Sequence, residues 1–450
     1  MTKFKTLITL ALTLALCLGA LAPAASASES YVPNAAITKI LQAPVGTTLP
    51  GKMDFVFEIK PVKWDNEVSN GTNMPSFDDI KISYNANMIK PSANATAAGV
   101  KNPYTADGIT YYILESGNIF DSLKGTWKGA GKYEYTITEK PGTFTINATG
   151  SNNNFTEGMT WSKASYTMYV YVMENATGAF YIDGIGVLKV KNDNGTGESE
   201  KKITVVTPGG DDKDYFWSKI EFRNSYWKIS NGDPGNPNLN DASLTVSKTI
   251  DGAALVKPDY DRYFKFTLTV TLPSVIPAAD LPAHYCAFVV DADGKIITNL
   301  TANALNAATA DIGNNTKQDY IKFVPGKATS FNLKQGEKLV FVDTPVGTAY
   351  KASEGATPYF MPSYIITTAG IAAGVVTGYT SQSITTGTEY TGEGKGMLNN
   401  LAAFKNTCNS TPETGLANLP IYGLSLLAII ALVIFILLES RKNKDNYREN

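Results

Sequence analysis

Lysine, glutamate and asparagine recur in that order, at inward-facing positions, in each half of this 450-residue chain. Alternate residues of a strand share a face. Ala35, Ile37, Lys39 and Leu41 form one such row, and Leu244, Val246, Lys248 and Ile250 form another; each sets a lysine in the middle of an apolar stripe. Tyr133, Tyr135, Ile137 and Glu139 share a face, as do Thr348, Tyr350, Ala352 and Glu354, and both rows end in a glutamate. Ile220, Phe222, Asn224 and Tyr226, then Ala402, Phe404, Asn406 and Cys408, each carry an inward asparagine. A buried, unpaired ammonium or carboxylate costs several kcal/mol, so such groups pair, shift their pKa or are consumed.

Burial lowers a lysine pKa and raises a glutamate pKa. A neutral amine is a nucleophile, and a protonated carboxyl donates to an amide carbonyl. Beside an asparagine these are the parts of a transamidation: the amine attacks the side-chain amide, ammonia leaves and a neutral isopeptide remains. Held in contact, such groups reach effective molarities of about 10⁵ M or more. A single inward lysine would more ordinarily snorkel past the core to solvent. Two complete sets, on the first and last strands of two segments, favour the reaction.

The elements that must position these residues are strands. Runs such as 53–59, 166–172 and 264–270 alternate in polarity and are rich in Thr, Val, Tyr, Phe and Ile. Asp183-Gly184, Asn194-Gly195 and Asp293-Gly294 read as turns between them. The expectation is an all-β chain, with room for one short helix between Pro277 and Leu305. Residues 230–238 carry prolines, glycines and asparagines but nothing able to build a core, and 230–239 reads as a stiff linker. They separate a first domain, 29–229, from a second, 240–407, with a stalk and terminal signal over 408–418.

Both ends read as addresses. Lys3 and Lys5 precede an apolar run at 7–21, and Ala25-Ser26-Ala27 offers a cleavage site, so 1–27 reads as a secretory signal peptide. Residues 419–438 match the roughly 20 apolar residues a transmembrane helix needs. Arg441, Lys442, Lys444 and Arg448 follow in 439–450, which reads as a cytoplasmic tail. Just outside that helix, Thr411-Pro412-Glu413-Thr414-Gly415 resembles the Leu-Pro-any-Thr-Gly sorting signal of Gram-positive surface proteins, with Thr411 where leucine is usual. The resemblance implies cleavage by sortase between Thr414 and Gly415. The threonine is then transferred to peptidoglycan or to a neighbouring pilin subunit, after a transient membrane-anchored stage.

Gly131-Lys132-Tyr133-Glu134-Tyr135-Thr136-Ile137-Thr138-Glu139 and Phe222-Arg223-Asn224-Ser225-Tyr226 resemble the glutamate strand and closing strand of isopeptide-bonded pilin domains. Leu244 to Thr249, Pro345 to Glu354 and Ala403 to Thr407 resemble the related streptococcal-type module. The resemblance implies two tandem immunoglobulin-like β-sandwiches in a pilus backbone subunit at the cell wall. It also implies links Lys39–Asn224 and Lys248–Asn406, promoted by Glu139 and Glu354. No Tyr-Pro-Lys motif marks a polymerising lysine. Lys219, facing outward on the closing strand of the first domain, and Lys213 just before it are candidates. A wall-anchored adhesin that stays monomeric and binds a host or matrix ligand is the alternative, and a membrane-anchored binding protein never cut by sortase is a third.

Composition narrows the remainder. Lys and Arg number 39 against 41 Asp and Glu, a balance that argues against nucleic acid, which calls for clustered positive charge. Cys17 leaves with the signal peptide, so Cys286 and Cys408 are the only candidates for a disulfide, and two cysteines are no framework for this length. His284 is the one histidine and no nucleophile motif accompanies it, so neither a triad nor a metal site is expected. No cofactor is implied, and any self-crosslinking happens once per domain rather than as turnover. Asp291-Ala292-Asp293-Gly294 reads as a hairpin turn rather than a calcium loop, and Gly392 to Gly396 as a flexible loop.

Overall fold

The strand at Lys52–Trp64 shows how the chain builds its layers: Met53, Phe55, Phe57 and Ile59 point inward and alternate with half-buried neighbours. Tyr166, Met168, Val170 and Val172 do the same in Ser165–Glu174, as do Phe264, Phe266, Leu268 and Val270 in Phe264–Thr271. This computed structural model describes residues 33–85, 102–142, 155–203, 218–304, 307–312 and 316–408. The signal peptide, Lys213, the motif from Thr411 to Gly415, the apolar run 419–438 and the tail lie outside the described residues.

The first sandwich faces a five-stranded sheet against a seven-stranded one among the described residues. In the five-stranded sheet the order is Phe155–Thr160, Glu221–Ser230, Thr38–Pro44, Ile109–Glu115 and Tyr104–Ala106. The opposing sheet carries Gly131–Lys140 between Ser165–Glu174 and Lys52–Trp64. The second sandwich repeats the plan. Its larger sheet places Leu244–Asp251 between Lys338–Phe341 and Leu401–Thr407, and its smaller sheet carries Ala349–Glu354 beside Phe264–Thr271. Each sandwich closes over its own apolar core. The fold is thus all-β in two tandem immunoglobulin-like sandwiches.

In both, the opening strand runs parallel to the closing strand: Lys39 lies opposite Phe222 and Leu41 opposite Asn224, while Lys248 lies opposite Phe404 and Ile250 opposite Asn406. A parallel pair at the centre of a sheet is buried on both faces, and Thr38 to Leu41 and Leu244 to Lys248 are buried throughout. Aromatic packing fixes the pair from beneath, with Phe222 4.9 Å from Phe57 and Phe404 5.3 Å from Phe266. Truncating such a ring to alanine costs about 3–5 kcal/mol.

Several local expectations change. Asp183-Gly184 is not a turn; it lies inside Phe180–Lys191 at a bulge, where the pairing shifts between Tyr171 and Val172. The true reversal is at Asn175, whose side chain accepts from the backbone N–H of Thr177 and Ala179. Among the described residues, the helical structure between Pro277 and Leu305 is the 3-10 turn Ala278–Asp280, and the α-helical structure is one turn at Lys257–Tyr260. Among the described residues no helix is long and apolar enough to cross a membrane. The segment after Ser230 is laid against the second sandwich rather than spanning open space. Ser230 donates to the Thr344 carbonyl, and a Cβ on Gly232 would fall 2.2 Å from the Val342 carbonyl.

Gly392 to Gly396 is likewise a strap between sandwiches. Glu393 accepts from the Thr48 N–H and pairs with Lys228 at 2.9 Å, while Lys395 donates to Asn231 and Asp241. Its glycines suggest mobility in isolation, but side chains from both sandwiches hold it.

Candidate functional site: two buried amine–acid–amide triads

Strand parity turns Lys39 into the core, and nothing around it reaches water: the side chain is fully buried, with the Phe55 ring centroid 4.7 Å from Nζ. The glutamate comes from the opposite sheet. Glu139 ends the row of Tyr133, Tyr135 and Ile137, and its carboxylate accepts from Lys39 Nζ at 2.8 Å on Oε1 and 2.7 Å on Oε2. Asn224 lies two residues beyond the register partner of Lys39, so both side chains emerge on the same face. Its Nδ2 donates to Glu139 Oε1 at 2.7 Å, and its Oδ1 accepts from the backbone N–H of Ser162 at 2.7 Å.

The second sandwich builds the same object from unrelated neighbours. Lys248 Nζ donates to Glu354 Oε1 at 2.8 Å, and Asn406 Nδ2 donates to the same oxygen at 2.5 Å. The Phe264 centroid lies 4.1 Å from Nζ. Here Glu354 Oε2 and Asn406 Oδ1 have no hydrogen-bond partner. One carboxylate oxygen shared by amine and amide keeps the two nitrogens less than two hydrogen bonds apart, in both domains.

Electrostatics push each pair toward its neutral form. Burial brings the Lys39 amine down to about 8 against the raising pull of Glu139, and the Lys248 amine down to about 8 against that of Glu354. Burial also raises both glutamates, opposed by their lysine and asparagine partners. A neutral amine, a protonated acid and a desolvated amide are the species a transamidation requires.

The other candidates fall elsewhere. Lys219 sits just ahead of the closing strand, about a third exposed, with Nζ 3.4 Å from Glu221, so it faces outward less freely than parity implies. Cys286 and Cys408 form no disulfide; Cys286 is half-buried beside Tyr320, and burial raises its thiol to about 11. His284 stacks on Tyr320, and no cluster among the described residues would hold a metal. Asp291 closes a tight turn by accepting from the Asp293 and Lys295 N–H groups. Sequence reasoning missed Ser162 and Asp193. Ser162 contributes a backbone N–H from a segment that is not a strand, and no side-chain pattern announces such a group.

Fold and site together define a tandem β-sandwich protein with one buried amine–acid–amide triad per sandwich. Residues 242–389 match the family described as a domain of unknown function, DUF7601. No curated protein matches the chain. Among solved structures, the major pilin from Streptococcus pyogenes is 18% identical over 84% of this chain and 100% of that chain, with a TM-score of 0.27. The T3.2 major pilin from the same organism is 17% identical over 84% and 99%, at a TM-score of 0.25. A pilus-presented adhesin is 12% identical over 50% of this chain and 36% of its own, at a TM-score of 0.20.

Proposed function

We propose that this chain is a structural subunit of a Gram-positive surface pilus, whose two sandwiches each crosslink themselves once. The observation that carries the reading is the duplication of the triad. Two sandwiches with different surroundings both set a lysine and an asparagine on paired first and last strands, under a glutamate from the facing sheet. A buried ion pair retained for stability alone is poorly rewarded, since apolar replacements are often neutral or better.

The chemistry follows from the contacts. With its proton held by the glutamate, Lys39 Nζ attacks Asn224 Cγ and a C–N bond forms. A proton passes from Nζ to Glu139, which gives the one it held to the adjacent Nδ2 once the tetrahedral intermediate frees that nitrogen's lone pair. The Cγ–Nδ2 bond breaks, ammonia leaves and a neutral amide remains. Lys248, Glu354 and Asn406 act likewise. Proton transfer through a positioned side chain of this kind contributes typically 10²–10⁴-fold. The protein is spent after one event per domain and is no turnover enzyme.

The linked strands are the first and last of each sandwich, so tension along the chain passes through the amide and bypasses the sheets. That suits a subunit joined in series. We assign export to residues 1–27, anchoring to 419–438, and sortase cleavage to Thr414–Gly415. Lys219 or Lys213 would serve as acceptor for the next subunit, and peptidoglycan as the terminal acceptor. Intact mass tests the crosslinks: the secreted protein should fall short of its sequence mass by two ammonia molecules, with Lys39→Ala and Lys248→Ala each restoring one. An unshortened mass refutes them. Wall extracts test the assembly, since polymer gives a ladder resistant to boiling in SDS and a monomeric adhesin gives one band.

A further inference from the structure

Resting on the self-crosslinking reading, we propose that the backbone N–H of Ser162 is the oxyanion donor for the first-domain reaction. Asp193 holds it in place, and the second domain works without such a donor. A backbone N–H can only donate, so the atom 2.7 Å from Ser162 N is the amide oxygen of Asn224, and the leaving nitrogen is the one on Glu139 Oε1. The amide is therefore presented with its oxygen on a donor and its nitrogen on the acid. In the second domain Asn406 Nδ2 meets Glu354, but Oδ1 meets nothing.

Ser162 lies between the strands Phe155–Thr160 and Ser165–Glu174, where no ladder fixes it. Asp193 does so instead. Its Oδ1 accepts from Ser162 Oγ at 2.6 Å and from the Arg223 N–H at 2.7 Å, and its carbonyl accepts from the Lys163 N–H at 2.8 Å. Ser162 Oγ in turn accepts from the Ala164 N–H at 3.1 Å. Because Arg223 precedes Asn224, one carboxylate ties the donor segment to the strand bearing the amide. When Nζ attacks Cγ, charge develops on Oδ1 and the Ser162 N–H takes it up. The Nζ proton goes to Glu139, Glu139 protonates Nδ2, the Cγ–Nδ2 bond breaks and one ammonia leaves.

Cell-free synthesis of the full chain in mild detergent, quenched in acid at intervals and digested, gives both linkage rates in the same molecules by peptide mass. Ser162→Pro removes the N–H and should slow the Lys39–Asn224 link about 10²-fold or more, with the Lys248–Asn406 rate unchanged. Asp193→Ala should slow it about 10- to 100-fold by misplacing the donor. In both, the final extent should be complete, whereas simple misfolding would lower it; the pH limbs set by Lys39 and Glu139 should stay in place in Ser162→Pro and move to lower pH in Asp193→Ala, which removes a carboxylate that raises both groups. Should Ser162→Pro fail to fold, Asp193→Ala carries the test. A wild-type first-domain rate in the folded variants overturns the donor role alone. No link at either site in the unmodified chain overturns the self-crosslinking reading instead.

Discussion

Removing the first-domain link should cost far more stability than removing an ion pair, and the two possibilities differ in sign. The crosslink would close a loop from residue 39 to residue 224. For a loop of roughly 200 residues, the loop-closure entropy taken from the unfolded chain is worth about 5 kcal/mol. In a domain of this size each kcal/mol moves Tm by about 2–4 °C, so loss of the link should lower the first-domain Tm by about 10–20 °C. The informative variant is Lys39→Met/Glu139→Gln, which removes both buried charges and keeps the volume. A noncovalent pair treated this way typically changes little, or the protein gains about 1–4 kcal/mol.

Differential scanning calorimetry on the secreted protein separates the cases, with Lys248→Met/Glu354→Gln as the matched change in the second domain. Each double variant should lower one transition by the stated amount and leave the other in place. An unchanged or raised first transition in Lys39→Met/Glu139→Gln would refute the covalent tie, whatever the geometry of the triad. Glu139→Gln alone closes the logic, since it keeps the lysine and the asparagine and removes only the proton carrier. It should melt below the double variant as well as below the parent, because it also leaves the Lys39 amine buried without its acid.

The reactive pair holds one proton, on the glutamate while the amine is free. Above about pH 8, where Lys39 and Lys248 leave their pairs with none, linkage should therefore slow, and it should also slow where the raised glutamates take up a second proton; timed acid quenches across pH 5–10 would show a flat-topped bell, and a rate that keeps climbing above about pH 8 would contradict it. Gly347 has φ +77°, and a Cβ there would fall 2.4 Å from Pro44 Cβ, so Gly347→Val should undock the sandwiches and speed limited proteolysis within 230–239. Lys219→Ala should abolish the SDS-resistant ladder in wall extracts if that amine is the acceptor, and a ladder that persists assigns the role elsewhere. Lys228→Ala leaves Glu393 and Glu157 without their shared cation and should lower Tm by several degrees, with no change in mass beyond the substitution.

How far the site could be read from sequence depends on which of its contacts follow strand parity. Lys39 was legible because Ala35, Ile37 and Leu41 leave it no polar neighbour on its face. Glu139 and Asn224 were legible for the same reason. That the three meet was not, because it depends on the parallel register setting Leu41 opposite Asn224 and on the facing sheet delivering Glu139. Ser162 escaped because its contribution is a main-chain group held by Asp193, a residue in a turn about thirty positions away. The strap at Glu393 escaped because glycine-rich composition reports what a segment could do alone, and Lys228 and Thr48 decide what it does here. Asp183-Gly184 misled because that dipeptide also suits a bulge.

The triads also bear on when in the chain's life its stability is lowest. Before reaction each sandwich buries an amine and an acid that burial drives out of their ordinary charge states, a term that works against folding. Under the proposed chemistry the amine's share of that term vanishes on conversion to an amide, with the glutamate left in place, while the loop-closure contribution appears at the same moment. The triad can form only when the opening strand, the glutamate strand and the closing strand are all docked, since its members come from each. Because the closing strand is the last element of its sandwich, the reaction cannot run ahead of the fold. On the proposed reading, native docking admits the chemistry, and the chemistry then removes the buried amine that made docking unfavourable.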